Sequence, residues 1–422
     1  MNQSKQELLP KLRFPEFKDS QLGKIPLSWD VAKLENLVNI VSGQSPSKFD
    51  LTGTKYKFFK VNQLNFCKKY LTNTEYAFDE EIDNLLDVGT IIFPKRGASI
   101  FTNKVRILTH KSFIDTNLMG LITKDTLNNM FLYYWLVKFE LSNIADTSSI
   151  PQINNKHINL LKIPFPPLEE QQKIADCLSS IDDLITAESK KLESIKNHKK
   201  GLMQNLFPSE GKTTPNFRFP EFKNDGEWEV KPLGKICKYS NGGGNENNVV
   251  DNGKYYLISL NSIDTEGNLK PNMKRVNHID NSLIKNDLVM VLSDVAYGNF
   301  LGLSAIIPNN NYVLNQRMAG LRVRSNQNIN IEYLRLFINN NQKYFKQKGQ
   351  GSSQQNLSKP SVERFPIFLP NNPKEQQKIA DCLSSIDDLI TSQGQKIEAL
   401  KTHKKGLMQQ LFPNIDQNHK SK

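Results

Sequence analysis

The chain has 422 residues, 38% hydrophobic and 9% aromatic, which suits a folded protein of two or three domains and excludes a disordered one. The formal net charge is +12, the balance of a polyanion reader, although it also serves plain solubility. The four cysteines (Cys67, Cys177, Cys237, Cys382) form no C-x-x-C pair, no apolar run has membrane-spanning length, and the opening MNQSKQELLP is polar. Structural zinc, a membrane span and a signal peptide are therefore not expected, and a reducing, cytoplasmic setting is.

In chain order, the N-terminal segment 1–26 carries RFPEFK at Arg13–Lys18. A first globule, 27–166, opens with WDVAKL at Trp29. Its runs YKFFKV (from Tyr56) and TIIFPK (from Thr90) read as strands, and Asn129–Phe139 reads as a helix. A long helix follows over 167–207. The linker 208–226 repeats RFPEFK at Arg218–Lys223. A second globule, 227–370, opens with WEVKPL at Trp228. Its runs from Tyr255, Asp287 and Met318 read as strands, and Asn330–Asn340 reads as the equivalent helix. A second long helix, 371–412, and a tail, 413–422, complete the chain. The fold class is α+β: two tandem β-rich domains separated by two long coiled-coil helices.

The helices hold the strongest signal. EQQKIADCLSSIDDLIT occupies Glu170–Thr186 and again Glu375–Thr391, and the same 205-residue offset relates HKKGLMQ at His198 to His403 and LFP at Leu206 to Leu411. Ile174, Leu178, Ile181, Ile185, Leu192, Ile195 and Leu202 follow a 3.5-residue period, as do Ile379, Leu383, Ile386, Ile390, Ile397, Leu400 and Leu407. Glu188 with Gln393, and Lys199 with Lys404, interrupt both seams at matching places, where polar residues fix register. If a pseudo-two-fold axis relates the two halves, the helices run antiparallel; the pattern leaves a parallel pair open.

Two divergent globules alternate with two nearly invariant helices. Each helix is introduced by a Pro-rich strand end and an EQQKIA run (IPFPPLEEQQKIA, IFLPNNPKEQQKIA), and each globule opens with W-x-V-x-x-L. This organisation resembles the specificity subunit of a type I restriction-modification enzyme over nearly the whole chain. The resemblance implies that each globule is a target-recognition domain reading half of a bipartite double-stranded DNA sequence. It implies that the helices space the half-sites and, with adjoining surfaces, dock two methyltransferase subunits, with restriction/translocase subunits joining the complex. S-adenosylmethionine, ATP and Mg²⁺ would then sit on those partners, and this chain would bind no cofactor and hold no metal.

Base-reading residues do not transfer within such a family, so they are nominated by chemistry: Arg or Lys for guanine, Asn or Gln for adenine. In the first globule the loops Ser42–Lys48 and Pro94–Ser99 offer Gln44, Ser45, Lys95 and Arg96. In the second, Asn241–Asn248 takes the place of the first loop, and Asn245, Asn247, Tyr297, Asn299 and Arg317 are the candidates. Gly349–Asn356 reads as a flexible DNA-facing loop. Gly242–Gly244 lacks the context of a phosphate cradle, and His198 and His403 read as solvated helix positions. PFPP at Pro164 lacks the Asn or Asp of an adenine-methyltransferase run, and no Walker A loop is present. The alternative to a DNA-binding adaptor is a non-catalytic protein-binding scaffold with two globules on a coiled-coil spacer.

Overall fold

The computed structural model describes residues 9–18, 29–80, 82, 85–147, 149–280, 282–295, 298–352 and 354–414. Two compact units emerge. One joins Met1–Ser189 to Gln395–Lys422; the other is Lys190–Gly394. The long helices, Leu168–Leu206 and Pro373–Leu411, each contribute their first part to one unit and their last part to the other. Among the described residues, no helix is long and apolar enough to cross a membrane.

In the first unit a clasp of Asp30–Lys33 against Lys162–Phe165, antiparallel, closes the globule. A five-stranded sheet has the order Val38–Ser42, Leu118–Thr123, Ile91–Pro94, Arg106–Leu108, Tyr70–Leu71. A three-stranded sheet sets Tyr56–Phe59 between Ala77–Phe78 and Ser112–Ile114. The helix Asn129–Phe139 is capped by the Asn128 side chain and buries six consecutive residues, Phe131 to Leu136. A helix apolar on every side belongs in a core, and here the long helices complete that core. Ile174 and Leu178 enter it from one helix, and Met408, Leu411 and Phe412 from the other.

The second unit repeats this plan. Its clasp is Glu229–Pro232 against Pro366–Leu369. One four-stranded sheet runs Cys237–Asn241, Met318–Val323, Leu288–Val291, Ser304–Ile306. A second runs Val249–Val250, Arg275–Val276, Tyr255–Ile258, Tyr312–Leu314. The helix Ile331–Asn340 is capped by Asn330, and its core takes Ile379 and Leu383 from one long helix and Leu206 and Phe207 from the other. Each strand and helix expected from the runs quoted above is present.

Within each unit the two helix parts run antiparallel. Asp182 meets Lys404 at 2.6 Å and Glu188 meets Lys396 in the first; Lys199 meets Asp387 at 2.5 Å in the second. The lysines that interrupt the seam are thus one half of a cross-helix ion pair, made twice with the helices exchanging roles. The seam itself is uneven. Ile174, Leu178, Ile379 and Leu383 are buried in the globule cores, which the end of the other long helix also enters. Ile185, Ile386 and Ile397 are buried, while Ile181, Leu192, Ile195, Leu202, Ile390, Leu400 and Leu407 are half-buried. The buried members hold the helices and globules together, which leaves any docking of a partner to the exposed faces of the helices.

The EQQK signature has an internal use. Arg13 of RFPEFK donates from Nε and Nη2 to the two oxygens of Glu170, at 2.8 and 2.7 Å. Arg218 repeats this on Glu375. Gln171 accepts from the backbone N–H of Asn128, and Gln172 accepts from its side chain; Gln376 and Gln377 do the same for Asn330. Lys173 pairs with Glu16, and Lys378 with Glu221. The residue before each RFPEFK reaches the other helix: Leu12 N–H donates to the Gln410 carbonyl, and Phe217 N–H to that of Asn205. The signature therefore ties a helix start, a helix end and the cap of the globule helix into one joint, built identically in both units.

Just beyond the joint the same helix residues meet different globule chemistry. Lys69 donates to Ser179 (3.0 Å) and Tyr134 (2.7 Å) and lies 3.6 Å from Asp182. In the second unit Ser384 donates to Glu332 and Asp387 faces Arg335 at 3.7 Å. Each aspartate thereby has one cation from a helix and one from a globule, so an invariant face accepts two diverged domains.

Candidate nucleic-acid interface

Each globule has one edge where a loop crosses a strand end under tight steric control. In the first, Gly43 passes so close to the turn after Ser112–Ile114 that a Cβ would lie 1.9 Å from the Asp115 carbonyl oxygen. In the second, a Cβ on Gly242 would lie 1.9 Å from that of Asn315. No other residue type fits either place. The crossing is pinned by matching parallel bridges, Gln44 with Asp115 and Gly243 with Asn315. Both turn residues are buried, and both organise the loops through hydrogen bonds. The Asp115 carboxylate accepts from the N–H groups of Val61 and Asn117; the Asn315 amide accepts from Asn245 N–H and donates to Glu246. A third strand end joins them, since Lys95 N–H donates to the Asn117 carbonyl and Leu292 N–H to that of Arg317.

On this shared frame the outward side chains differ. In the first globule Gln44 and Lys95 are half-buried and Arg96 is exposed. Lys95 Nζ donates to Ser42 Oγ at 3.2 Å; burial holds its pKa below the usual lysine value, opposed by the nearby Asp115 charge. Ser45 is engaged as the cap of the short turn Pro46–Lys48. The segment 151–153 joins the same edge, with Gly97 N–H donating to the Pro151 carbonyl and Arg96 bridged to Gln152. The sequence reading missed Gln152 and Asn117. The alignment of FIDTNLMGLI with VLNQRMAGLR, which sets Asn117 opposite Arg317, could have found the second.

In the second globule the candidates separate. Asn245 is buried: its amide donates to the Leu314 carbonyl, and its oxygen faces Asn248 and His278 Nε2. It shapes the loop and presents nothing to a ligand, which corrects its nomination. Asn247 and Arg317 are exposed. Asn299 accepts from Lys346 at 2.8 Å. Tyr297 lies outside the described residues. Gly349–Asn356 is not simply a loop, because Gln354–Asn356 pairs with Ser293–Val295 and Gln350 bridges Asn356. Two unforeseen residues, Glu246 and Lys274, form an ion pair at 2.8 Å beside Arg317.

A family model for the type I restriction modification DNA specificity domain matches residues 26–197 and again 225–402. The chain belongs to that family. The putative type I restriction enzyme MjaX specificity subunit of Methanocaldococcus jannaschii is 27% identical, covering 96% of this chain and 97% of the relative. The MjaVIII specificity subunit of the same organism is 26% identical, covering 94% and 95%. The crystal structure of a type I restriction-modification S subunit from M. genitalium shares the fold, with a TM-score of 0.59 at 17% identity, covering 96% of this chain and all of that one. The two globules of this specificity subunit are its target-recognition domains, and the chain serves DNA sequence specificity. The long helices fit the spacer elements of the family fold.

Proposed function

We propose that each target-recognition domain reads one half of a bipartite DNA target through the glycine-crossed edge described above. The paired helices set the half-site spacing and carry two copies of a methyltransferase subunit. The observation that carries this reading is the split between sameness and difference. The joints at Arg13–Glu170 and Arg218–Glu375 are built alike, whereas the outward residues on the equivalent edges are unlike. Two copies of one partner need two like surfaces, and two half-sites need two unlike ones.

Part of the helix identity is internal, but part is not. Leu184 and Leu389 occupy the same position of the repeated string and are 43% and 57% exposed. An exposed leucine retained in both copies suits docking of one apolar partner surface twice. The chain itself acts as a non-catalytic adaptor. S-adenosylmethionine belongs to the methyltransferase subunits, and ATP and Mg²⁺ to the restriction/translocase subunits. The assembled complex methylates adenine and cleaves unmodified DNA.

Single-molecule methylome sequencing of a host with and without this gene tests the reading. A bipartite adenine-methylated motif present only with the gene supports it; the absence of any such motif refutes it. Insertion of one heptad into a long helix is expected to change the gap between half-sites and leave their identities alone.

A further inference from the structure

The cleft behind the second edge has a cation on its rim, Arg317. Arg317 has φ of 68°, a left-handed conformation that costs a non-glycine residue stability unless something holds it there. The holding groups are backbone: its carbonyl accepts from Leu292 N–H, and the next residue, Met318, accepts from Gly242 N–H. Its own side chain is exposed, and among the described residues its guanidinium makes no hydrogen bond or ion pair. The equivalent residue in the first globule, Asn117, is not in the left-handed region. Strain has been accepted at this position for a long cation that the fold does not use.

The guanidinium borders a cavity of about 210 Å³ whose wall includes the apolar Leu260 and Met273, and whose polar rim includes Glu246, Lys274, Gln316 and Arg317. Those four rim residues are exposed, whereas Leu260 and Met273 are half-buried. Lys274 foremost, with Asn315 and Arg317 also beside it, holds the Glu246 carboxyl below the usual carboxylate value; its two oxygens accept from Lys274 and Asn315, which fix it in place as an ionised group. A planar five-donor fork next to a fixed carboxylate acceptor matches the two edges of a G·C pair. Arginine pairs in bidentate fashion with guanine O6 and N7, and a carboxylate accepts from cytosine N4.

We infer that Arg317 is the specificity-determining residue of the second target-recognition domain and reads a guanine in its half-site, with Glu246 oriented towards the paired cytosine. This rests on the reading of the globules as DNA-recognition domains.

The test uses the full chain co-expressed with its methyltransferase subunit, in wild-type, Arg317→Lys and Arg317→Gly forms, with methylome sequencing of each. The lysine keeps the charge and loses the fork; the glycine relieves the strain, so its Tm is expected at or above that of the wild type. The expected result is one guanine position in one half of the motif becoming degenerate with Arg317→Gly and being weakened in part with Arg317→Lys, whose ammonium still donates to guanine. Discrimination there falls roughly 5- to 150-fold, the range of one lost bidentate contact. The other half and the spacing stay unchanged. A uniform loss of methylation with every guanine still required would mark Arg317 as a phosphate contact and overturn the proposal, leaving the DNA reading intact. Changes in both half-sites, or no change in either, would also overturn it. A wild-type complex without any bipartite motif would instead sink the DNA reading itself.

Discussion

Arg13 and Glu170, 157 residues apart, form a two-point ion pair in which the side chains are only 7% and 1% exposed. Removing one partner of such a pair leaves a buried charge without compensation, which typically costs about 3–5 kcal/mol. Arg13→Ala is therefore expected to lower stability by that order in denaturant unfolding, and Arg218→Ala to do the same through Glu375. A loss below about 1 kcal/mol for both would show that the joint is not what ties RFPEFK to the helices.

Phe412 belongs to the core of the first globule, with its ring 5.1 Å from that of Phe131. Phe207 has the corresponding place in the second, 5.3 Å from Phe337. Truncating a buried phenylalanine to alanine costs about 3–5 kcal/mol. Hydrogen exchange should localise the damage: Phe412→Ala should deprotect Asn129–Phe139, and Phe207→Ala should deprotect Ile331–Asn340. Equal deprotection of both helices by either variant would contradict the core assignments.

Leu184 and Leu389 are exposed, so aspartate at either position should leave the Tm of the isolated chain almost unchanged. In native mass spectrometry, Leu184→Asp or Leu389→Asp alone is expected to reduce the complex to one methyltransferase subunit, and the double variant to none. Full assembly by the double variant would remove these leucines from the docking surface.

Burial pushes the Cys237 thiol up to about 12, whereas the unfolded chain ionises near the ordinary value of 9.0. Between these values the folded state retains a proton that the unfolded state has lost. This contribution is complete below pH 9 and declines as pH rises through the window from 9 to about 12. Cys237→Ser variants cannot isolate this effect cleanly, but thiol labelling can. Cys67, Cys177 and Cys382 are half-buried and should label in the folded protein, while Cys237 should label only on unfolding. Four equally fast thiols would refute the burial.

Long-period and long-run features were legible in the sequence: the two 39-residue helices, the strands, the capped aromatic helix and the duplication. The seam was legible as a pattern but not as a set of contacts. Ile174 and Leu178 have the same spacing as Ile181 and Leu192, and only the docked globule distinguishes them. The Arg13–Glu170 joint could not be read, because identity at two places says that a residue is retained and not which distant residue it touches. Asn245 and Asn247 differ by two positions and share one chemistry, yet one is buried against Leu314 and the other faces water. That difference arises from Gly242 and its close passage, a long-range steric fact with no local signature.

The division of the helices has a consequence for synthesis. Lys190–Gly394 is one uninterrupted stretch, so everything the second unit requires has been translated before the rest of the first unit emerges. The first unit takes part of its core from Met408, Leu411 and Phe412, and Leu12 bonds to Gln410; these four partners all lie later in the chain than the whole second unit. The first globule precedes the second unit in the chain and yet is sealed after it. Its aromatic helix Asn129–Phe139 must wait with an open apolar face while the second unit is translated, a prolonged opportunity for a chaperone or for aggregation.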